Sequence, residues 1–416
     1  MAMKKYNLVH ITTGGEYKTP LVQSQLFDQA EAQAIVKEGF YPQKVHAWIL
    51  GSFREYFDRA GKKKGRAIRR FCPHVKVGKF NGIDRLNRFP IYLLLTFRRL
   101  LMGSTPVVYH CRGEAATKWG LRQKKLFKKD RVVIDVRGYW PAELLYKHGI
   151  EYVELANGAL KSEHDRAKQE LKDLISEVDG ITTVSEALRE LLMSDLGAPD
   201  TTIVVPCCIN KITEDNRRNE IRKKWGICDG EIAVVYSGTT AAYQHLEDLT
   251  IPFLHKLVNA DNAIRIVMLS PESDKVTAMI AAAGIDKAKV VIANIPHKEV
   301  AEALTACDAG VLIRKPTLVN RVANPVKIAE YFAAGLPIII EEGVGGLPDR
   351  LYQRSLIKGI KISSPKANMD HYVSEVMAWL NDDLDKKRSL IREEARTHLL
   401  WSSAIQTSRS LYQQIL

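Results

Sequence analysis

Two charged residues three positions apart, Lys327 and Glu330, lie in the stretch Asn324-Pro325-Val326-Lys327-Ile328-Ala329-Glu330. Pro325 suits the first position of a helix and Asn324 is expected as its N-cap, so both charges fall in the first two turns. Residues at this spacing share a helix face. A Lys in a first turn opposes the positive end of the helix dipole unless an anion sits there. A carboxylate one turn further on can accept two hydrogen bonds from vicinal hydroxyls, such as those of a ribose. Together they describe a nucleoside diphosphate held phosphate-first at a helix start. The same residues equally fit an internal Lys–Glu pair contributing about 0.2–0.5 kcal/mol.

Other candidates follow apolar runs of strand type. Gly238 comes after Ile232–Tyr236 and before a helical stretch, where a bare backbone lets N–H groups approach a phosphate, although most such glycines only make a tight turn. Gly14-Gly15, Arg112-Gly113, Arg137-Gly138, Gly238-Thr239 and the loop before Lys327 all follow such runs. Ligands of open parallel sheets sit outside the carboxyl ends of the strands, so these five are expected to converge on one cleft. The sole D-x-D, Asp383-Leu384-Asp385, lies in a polar helical segment and reads as surface charge, and no metal is expected. The six cysteines show no C-x-x-C and read as buried thiols of a reducing compartment.

These residues need a frame to position them. At 416 residues, the chain suits two domains, and 46% hydrophobic with 26% charged residues excludes a disordered chain. Strand-type runs at Leu8–Ile11, Val107–His110, Val132–Asp135, the start of "DGITTVSEALRELL" (179–192) and Ile203–Pro206 alternate with helical stretches, and Ser185 is placed to cap one of them. The polar stretch 210–231 reads as a linker. The pattern then restarts at Ile232–Tyr236, Ala263–Leu269, Val290–Ile292, Ala309–Ile313 and Ile338–Ile340. Strands separated by helices imply right-handed βαβ units and parallel sheets. The expected class is α/β, two Rossmann-like domains facing across a cleft. Residues 1–208 would form an N-terminal domain and 209–390 a C-terminal one, with a C-terminal helical segment, 391–416, packing back across the interdomain region. The N-terminus does not read as a signal peptide, and no apolar run reaches the ~18 residues that cross a membrane.

The segments "YSGTTAAYQHLEDL" (236–249), "ALTACDAGVLIRK" (303–315) and "NPVKIAEYFAAGLPIII" (324–340) resemble the donor half of a GT-B glycosyltransferase, in particular glycosyltransferase family 4 of the bacterial polysaccharide type. "VVYHCRGEAAT" (107–117), "VIDVRGYWPAE" (133–143) and "DGITTVSEAL" (179–188) agree with its N-terminal half. The resemblance implies a retaining, hexosyl-type transferase that moves a sugar from a nucleoside-diphosphate sugar to a glycan or lipid-linked acceptor, in bacterial surface polysaccharide synthesis. By it Glu330 binds the donor ribose. Ala323, Asn324, Pro325 and Lys327 hold the diphosphate, Gly14 and Gly15 approach the sugar or its phosphate, and His110, at the end of its strand, contacts the sugar. Gly238, Thr239 and His245 would line the donor site, with Arg112 and Arg137 toward the acceptor. The chain departs from the family at Val322, where relatives carry a Glu, and at Thr239 and His245, where they carry Arg and Lys. Arg314, Lys315, Arg321 and Lys327 flank the donor loop as replacements, and Lys327 with Arg321 is the pair expected at the leaving diphosphate.

Charge is unevenly spread. Arg54 to Arg131 holds 22 Lys and Arg against 5 Asp and Glu, whereas the whole chain is only +13. With the apolar stretch "RFPIYLLLTFRRLLM" (88–102) and Lys62-Lys63-Lys64, it suits an anionic inner-membrane surface, for a cytoplasmic protein peripheral to the membrane. A solvated surface or a core helix at 91–101 would leave the same pattern. No nucleic-acid partner is expected: such a partner would want a platform of aromatics among the basic residues and would leave the rest of the chain unexplained. The alternatives are a nucleotide-sugar epimerase of the same shape, a non-catalytic scaffold, or a nucleic-acid-binding protein.

Overall fold

The computed structural model describes residues 4–13, 20–35, 42–51, 76–81, 88–364 and 367–416. Gly14, Gly15 and Lys62–Lys64 lie outside the described residues. The chain divides into two units, Met1–Asn210 with Trp401–Leu416, and Lys211–Leu400.

The first unit is built on seven strands: β1 (Tyr6–Thr13), β2 (Pro42–Gly51), β3 (Lys76–Asn81), β4 (Val107–Arg112), β5 (Arg131–Val136), β6 (Gly180–Thr183) and β7 (Ile203–Val204). Their order is β3-β2-β1-β4-β5-β6-β7 and every pairing is parallel. β1 and β4 are buried over nearly their whole length, as central strands of a parallel sheet should be, and they bury the polar Asn7, His10 and His110 along with their apolar residues. The second unit has β8 (Ile232–Ser237), β9 (Ile264–Leu269), β10 (Val290–Ala293), β11 (Ala309–Leu312), β12 (Ile338–Glu341) and β13 (Ile357–Ile360), in the order β10-β9-β8-β11-β12-β13, again all parallel. Both sheets run outward in two directions from a central pair, β1/β4 and β8/β11. This is the Rossmann arrangement, with a topological switch point at each pair.

Several expectations change in detail. β2, β3 and β13 were not anticipated. β3 and β13 are sheet edges, and their sequences, KVGKFN and IKGI, mix Lys and Gly into the apolar positions. The stretch 210–231 is more than a linker. It contains the helix Arg218–Lys224, and Arg218 and Arg222 both reach Asp308, at 2.5 and 3.0 Å. Residue 391 falls inside the helix Leu384–His398, which stays with the second unit, while the helix Trp401–Ile415 returns to the first. Cys228 is exposed, whereas Cys111, Cys207, Cys208 and Cys307 are buried. Asp383 accepts the Lys386 N–H at 3.0 Å and caps its helix, and Ser185 accepts the Leu188 N–H at 3.1 Å.

Candidate functional site

The helix carrying Lys327 and Glu330 runs Val326–Ala333. Pro325, with extended backbone (φ −64°, ψ 127°), occupies the cap position, and the expected Asn324 cap is displaced by one residue. A proline whose ψ has not yet turned helical cannot be the first helical residue. Lys327 stays in the first turn. The helix is seated by Tyr331: its ring lies over Gly310 of β11, where an added Cβ would come within 2.5 Å, and its hydroxyl accepts the Ser237 N–H at 3.0 Å. Gly335, at φ +75°, closes the helix in the left-handed conformation that favours glycine.

Lys327 and Glu330 do not form the internal ion pair that their spacing allowed. Lys327 Nζ donates to Gln244 Oε1 at 3.0 Å and lies 4.2 Å from the centroid of the Tyr236 ring. Glu330, 20% exposed, has His297 Nε2 at 3.9 Å. The oxygen that receives Lys327 also receives Arg314 Nη2, at 2.9 Å. Gln244 and Arg314 are both buried. Two basic side chains thus converge on one neutral amide oxygen. Burial pushes the Lys327 ammonium well below its usual value, Arg314 adds to the effect, and Glu330 opposes it. Burial raises the Glu330 carboxyl, with His297 and Lys327 pulling the other way.

The cluster sits where the topology calls for a ligand. Gly238 follows β8, and Arg314 comes two residues after β11, so both stand at the carboxyl ends of the strands flanking the switch point. Gly238 has φ +147°, and an added Cβ would lie 2.6 Å from Lys327 Cε, so a side chain there would push the lysine from its place and strain the loop. Tyr236 Oη donates to the Thr239 carbonyl at 2.6 Å, and the Thr240 N–H donates to Glu272 at 2.7 Å, which fixes the loop. His245 is held in the left-handed region at φ 48°, its Nδ1 2.9 Å from Asp248 Oδ2. Arg321 is exposed on the short helix Leu318–Val322, and Arg314, not Arg321, shares Gln244 with Lys327. Val322 is buried.

In the first unit His110 is not at the end of its strand. β4 continues to Arg112, and the His110 side chain is 1% exposed. Its Nδ1 lies 2.8 Å from Tyr412 Oη, its Nε2 lies 3.7 Å from Asp135 Oδ2, and its ring packs on His10 at 4.9 Å. Burial opposes ionisation of Asp135, but Arg137, then His110 and Arg112, outweigh it and hold the carboxyl well below the usual range. Thr182 Oγ1 donates to Asp135 at 2.9 Å, and Arg137 donates to Cys207 Sγ at 3.0 Å. Arg112 and Arg137 are therefore gathered about one buried carboxylate at the ends of β4 and β5. Glu114 and Glu143 begin the helices that follow. Burial raises both carboxyls, Glu143 raising Glu114 further, while Lys147 lowers Glu143. Gly138 leaves room for Glu143, since an added Cβ would overlap the Glu143 carboxylate.

Sequence reasoning missed Gln244, Tyr236, His297, Asp135, Glu143 and Tyr412 as site residues. Asp135 and Glu143 both lie in "VIDVRGYWPAE" (133–143), where a carboxylate at a strand end and another in the following helix are visible in sequence. Gln244 and Tyr412 carry no signal in sequence, because their partners lie 70 or more residues away.

Comparison with known proteins agrees with this frame. Residues 217–398 match the family model for Glycosyl transferases group 1. A glycosyltransferase from Rickettsia africae ESF-5 superposes with a TM-score of 0.69 at 13% identity, covering 99% of this chain and 98% of that one. HepE of Anabaena, in complex with UDP, gives 0.67 at 11% identity, covering 98% and 100%. WaaG, a glycosyltransferase involved in lipopolysaccharide biosynthesis, gives 0.60 at 12% identity, covering 97% and 99%. No curated protein matches. The structural likeness shows the fold, and the family match supports a glycosyltransferase with the GT-B type of architecture. No helix among the described residues is long and apolar enough to cross a membrane.

Proposed function

We propose that the protein is a retaining, hexosyl-type glycosyltransferase that takes its sugar from a nucleoside-diphosphate donor. The observation that carries this reading is the meeting of Lys327 and Arg314 on Gln244 Oε1 at the β8/β11 switch point, with Glu330 one turn along the same helix. A phosphate oxygen in place of that neutral amide oxygen would be the stronger acceptor for both groups, because its charge complements theirs. Glu330 is spaced to accept from both ribose hydroxyls, and Gly238 with the loop to Thr240 leaves backbone next to the diphosphate. HepE was captured with UDP, which supports a nucleotide of this kind as the donor carrier.

In this reading the acceptor oxygen bonds to the anomeric carbon as the bond to the diphosphate oxygen breaks, on the same face of the sugar. The acceptor proton passes to the leaving diphosphate. Catalysis rests on positioning and on Lys327 and Arg314 stabilising the charge that develops on the leaving group. Arg321 and His245 line the approach, and no protein nucleophile or metal is required. Arg112 and Arg137, held by Asp135, with Glu114 and Glu143, are assigned to the acceptor side, and His110 acts by holding Asp135. The likeness to WaaG supports a glycan or lipid-linked acceptor in bacterial surface polysaccharide synthesis, and a lipid-linked one would make the protein a cytoplasmic, peripheral membrane enzyme.

Incubation with a panel of nucleoside-diphosphate sugars, with nucleotide release and product anomers read by NMR, tests the proposal. Release of one nucleotide with retained configuration is expected, abolished in Glu330→Ala. An isomerised nucleotide sugar with no release would instead identify an epimerase, and an unchanged panel would contradict any transferase.

A further inference from the structure

Among the described residues, the helix Arg88–Leu100 is fastened by one side only. Arg99, 3% exposed, donates to both Asp130 oxygens at 2.6 and 2.7 Å and stacks 4.7 Å from the Phe127 ring, and Leu95 is fully buried. The other side carries Leu93 (51% exposed), Leu94 (43%), Phe97 (57%), Leu100 (58%) and, in the following turn, Leu101 (66%). At about 100° per residue these five span an arc of about 120°, the width of stripe by which a surface helix normally packs on a core. Contiguous exposed apolar faces on soluble proteins mark interaction sites.

The charges around this face are predominantly basic. Arg98 is exposed beside it. The helix Gly113–Leu126 touches it through Gln123 and Thr96 at 3.5 Å, and ends in exposed Lys125, Leu126, Lys128 and Lys129. From Arg88 to Arg131 there are 11 Lys and Arg against only Glu114 and Asp130. Asp130 is buried with Arg99, and the carboxylates that approach the rim are Glu177, 3.9 Å from Lys125, and Asp179, 2.9 Å from Lys124.

We propose that this face docks on an anionic lipid surface. The helix lies in the interfacial plane, with Leu94 and Phe97 among the acyl chains and Arg98, Lys125, Lys128 and Lys129 at the headgroup phosphates. A second copy of the chain is disfavoured as occupant, because pairing this face with itself brings two basic rims together. The inference goes beyond glycosyl transfer and does not depend on it.

The test is co-sedimentation of the full chain with phosphatidylglycerol/phosphatidylcholine vesicles and with phosphatidylcholine vesicles alone. Wild type is expected to bind the anionic vesicles preferentially, and Phe97→Glu or Leu94→Glu to weaken that binding by about tenfold or more each. Both positions are exposed, so thermal melts should be unchanged. In a second measurement, the indole introduced by Phe97→Trp should be quenched by bromine-labelled acyl chains. Equal binding by the Glu variants, an absence of quenching in Phe97→Trp, or a wild-type dimer that Phe97→Glu converts to monomer without any vesicle binding would overturn the proposal.

Discussion

At the scale of single residues, the site turns on a half-buried lysine whose proton is held less tightly than in water. With Lys327 held below its ordinary 10.5 and unfolded chains holding the proton up to that value, the unfolded state binds more protons in the window between the two. The contribution of Lys327 to stability is therefore lowest below its folded value and rises with pH across that window. A bound diphosphate reverses the preference, so binding should take up a proton and weaken as pH rises through the folded value. Calorimetry in buffers of different ionisation enthalpy should show the uptake. Lys327→Arg, which stays charged, should remove the Lys327 share of the uptake and flatten the pH dependence, leaving only what Glu330 contributes. Glu330→Gln should weaken nucleoside-diphosphate binding by about 10- to 100-fold, as expected for losing hydrogen bonds to a charged acceptor. Glu330 and Lys327 could be singled out from the sequence because helical spacing put them on one face. Arg314 was visible only as one of several flanking cations, and its selection over Arg321 needed Gln244, a neutral residue whose role exists only in three dimensions.

At the scale of elements, the decisive feature is the seating of the helix Val326–Ala333 on β11. Tyr331 fills the space that Gly310 leaves and ties its hydroxyl to Ser237, the last residue of β8. Tyr331→Ala should cost about 3–5 kcal/mol in urea unfolding, and nucleotide binding should fall with it because the lysine loses its register against Gly238. Gly310→Val should destabilise by overlap with the same ring. The helix Arg88–Leu100 depends likewise on Asp130, which accepts from Arg99, from the Val107 N–H at 3.0 Å and from Tyr109 at 3.2 Å. Asp130→Ala should destabilise the first unit by about 3–5 kcal/mol, since it leaves a buried guanidinium without its carboxylate. The strands that could be read from sequence carry apolar runs such as Val107-Val108-Tyr109 in β4 and Ile338-Ile339-Ile340 in β12. The edge strands β3 and β13 could not, because Lys and Gly interrupt them. His110 was read as terminal because the apolar run stops there, whereas backbone pairing carries β4 on to Arg112.

At the scale of the whole molecule, the chain builds two parallel sheets in the same order and then returns to the first. The helix Trp401–Ile415 is bound into that unit by Arg409, which donates to Gln33 at 3.0 and 2.9 Å, by Tyr412 on His110, and by Leu411 against Gly180. Removing 401–416 should make the first unit sensitive to limited proteolysis while the second stays protected. The α/β class and ten of the thirteen described strands could be read from alternating apolar and helical stretches, whereas β2, β3 and β13 could not. The segment 391–416 showed no internal break in sequence, since its two helices are both amphipathic and differ only in which core they face. The central claim is that the β8/β11 switch point holds a nucleoside diphosphate between Lys327, Arg314 and Glu330. Isothermal titration of UDP, GDP, ADP and dTDP into the wild-type chain and into Glu330→Ala and Lys327→Met tests it most directly. Saturable binding of at least one nucleotide by wild type is expected, with a loss of about tenfold or more in each variant. Binding of none, or equal binding by all three proteins, would contradict it.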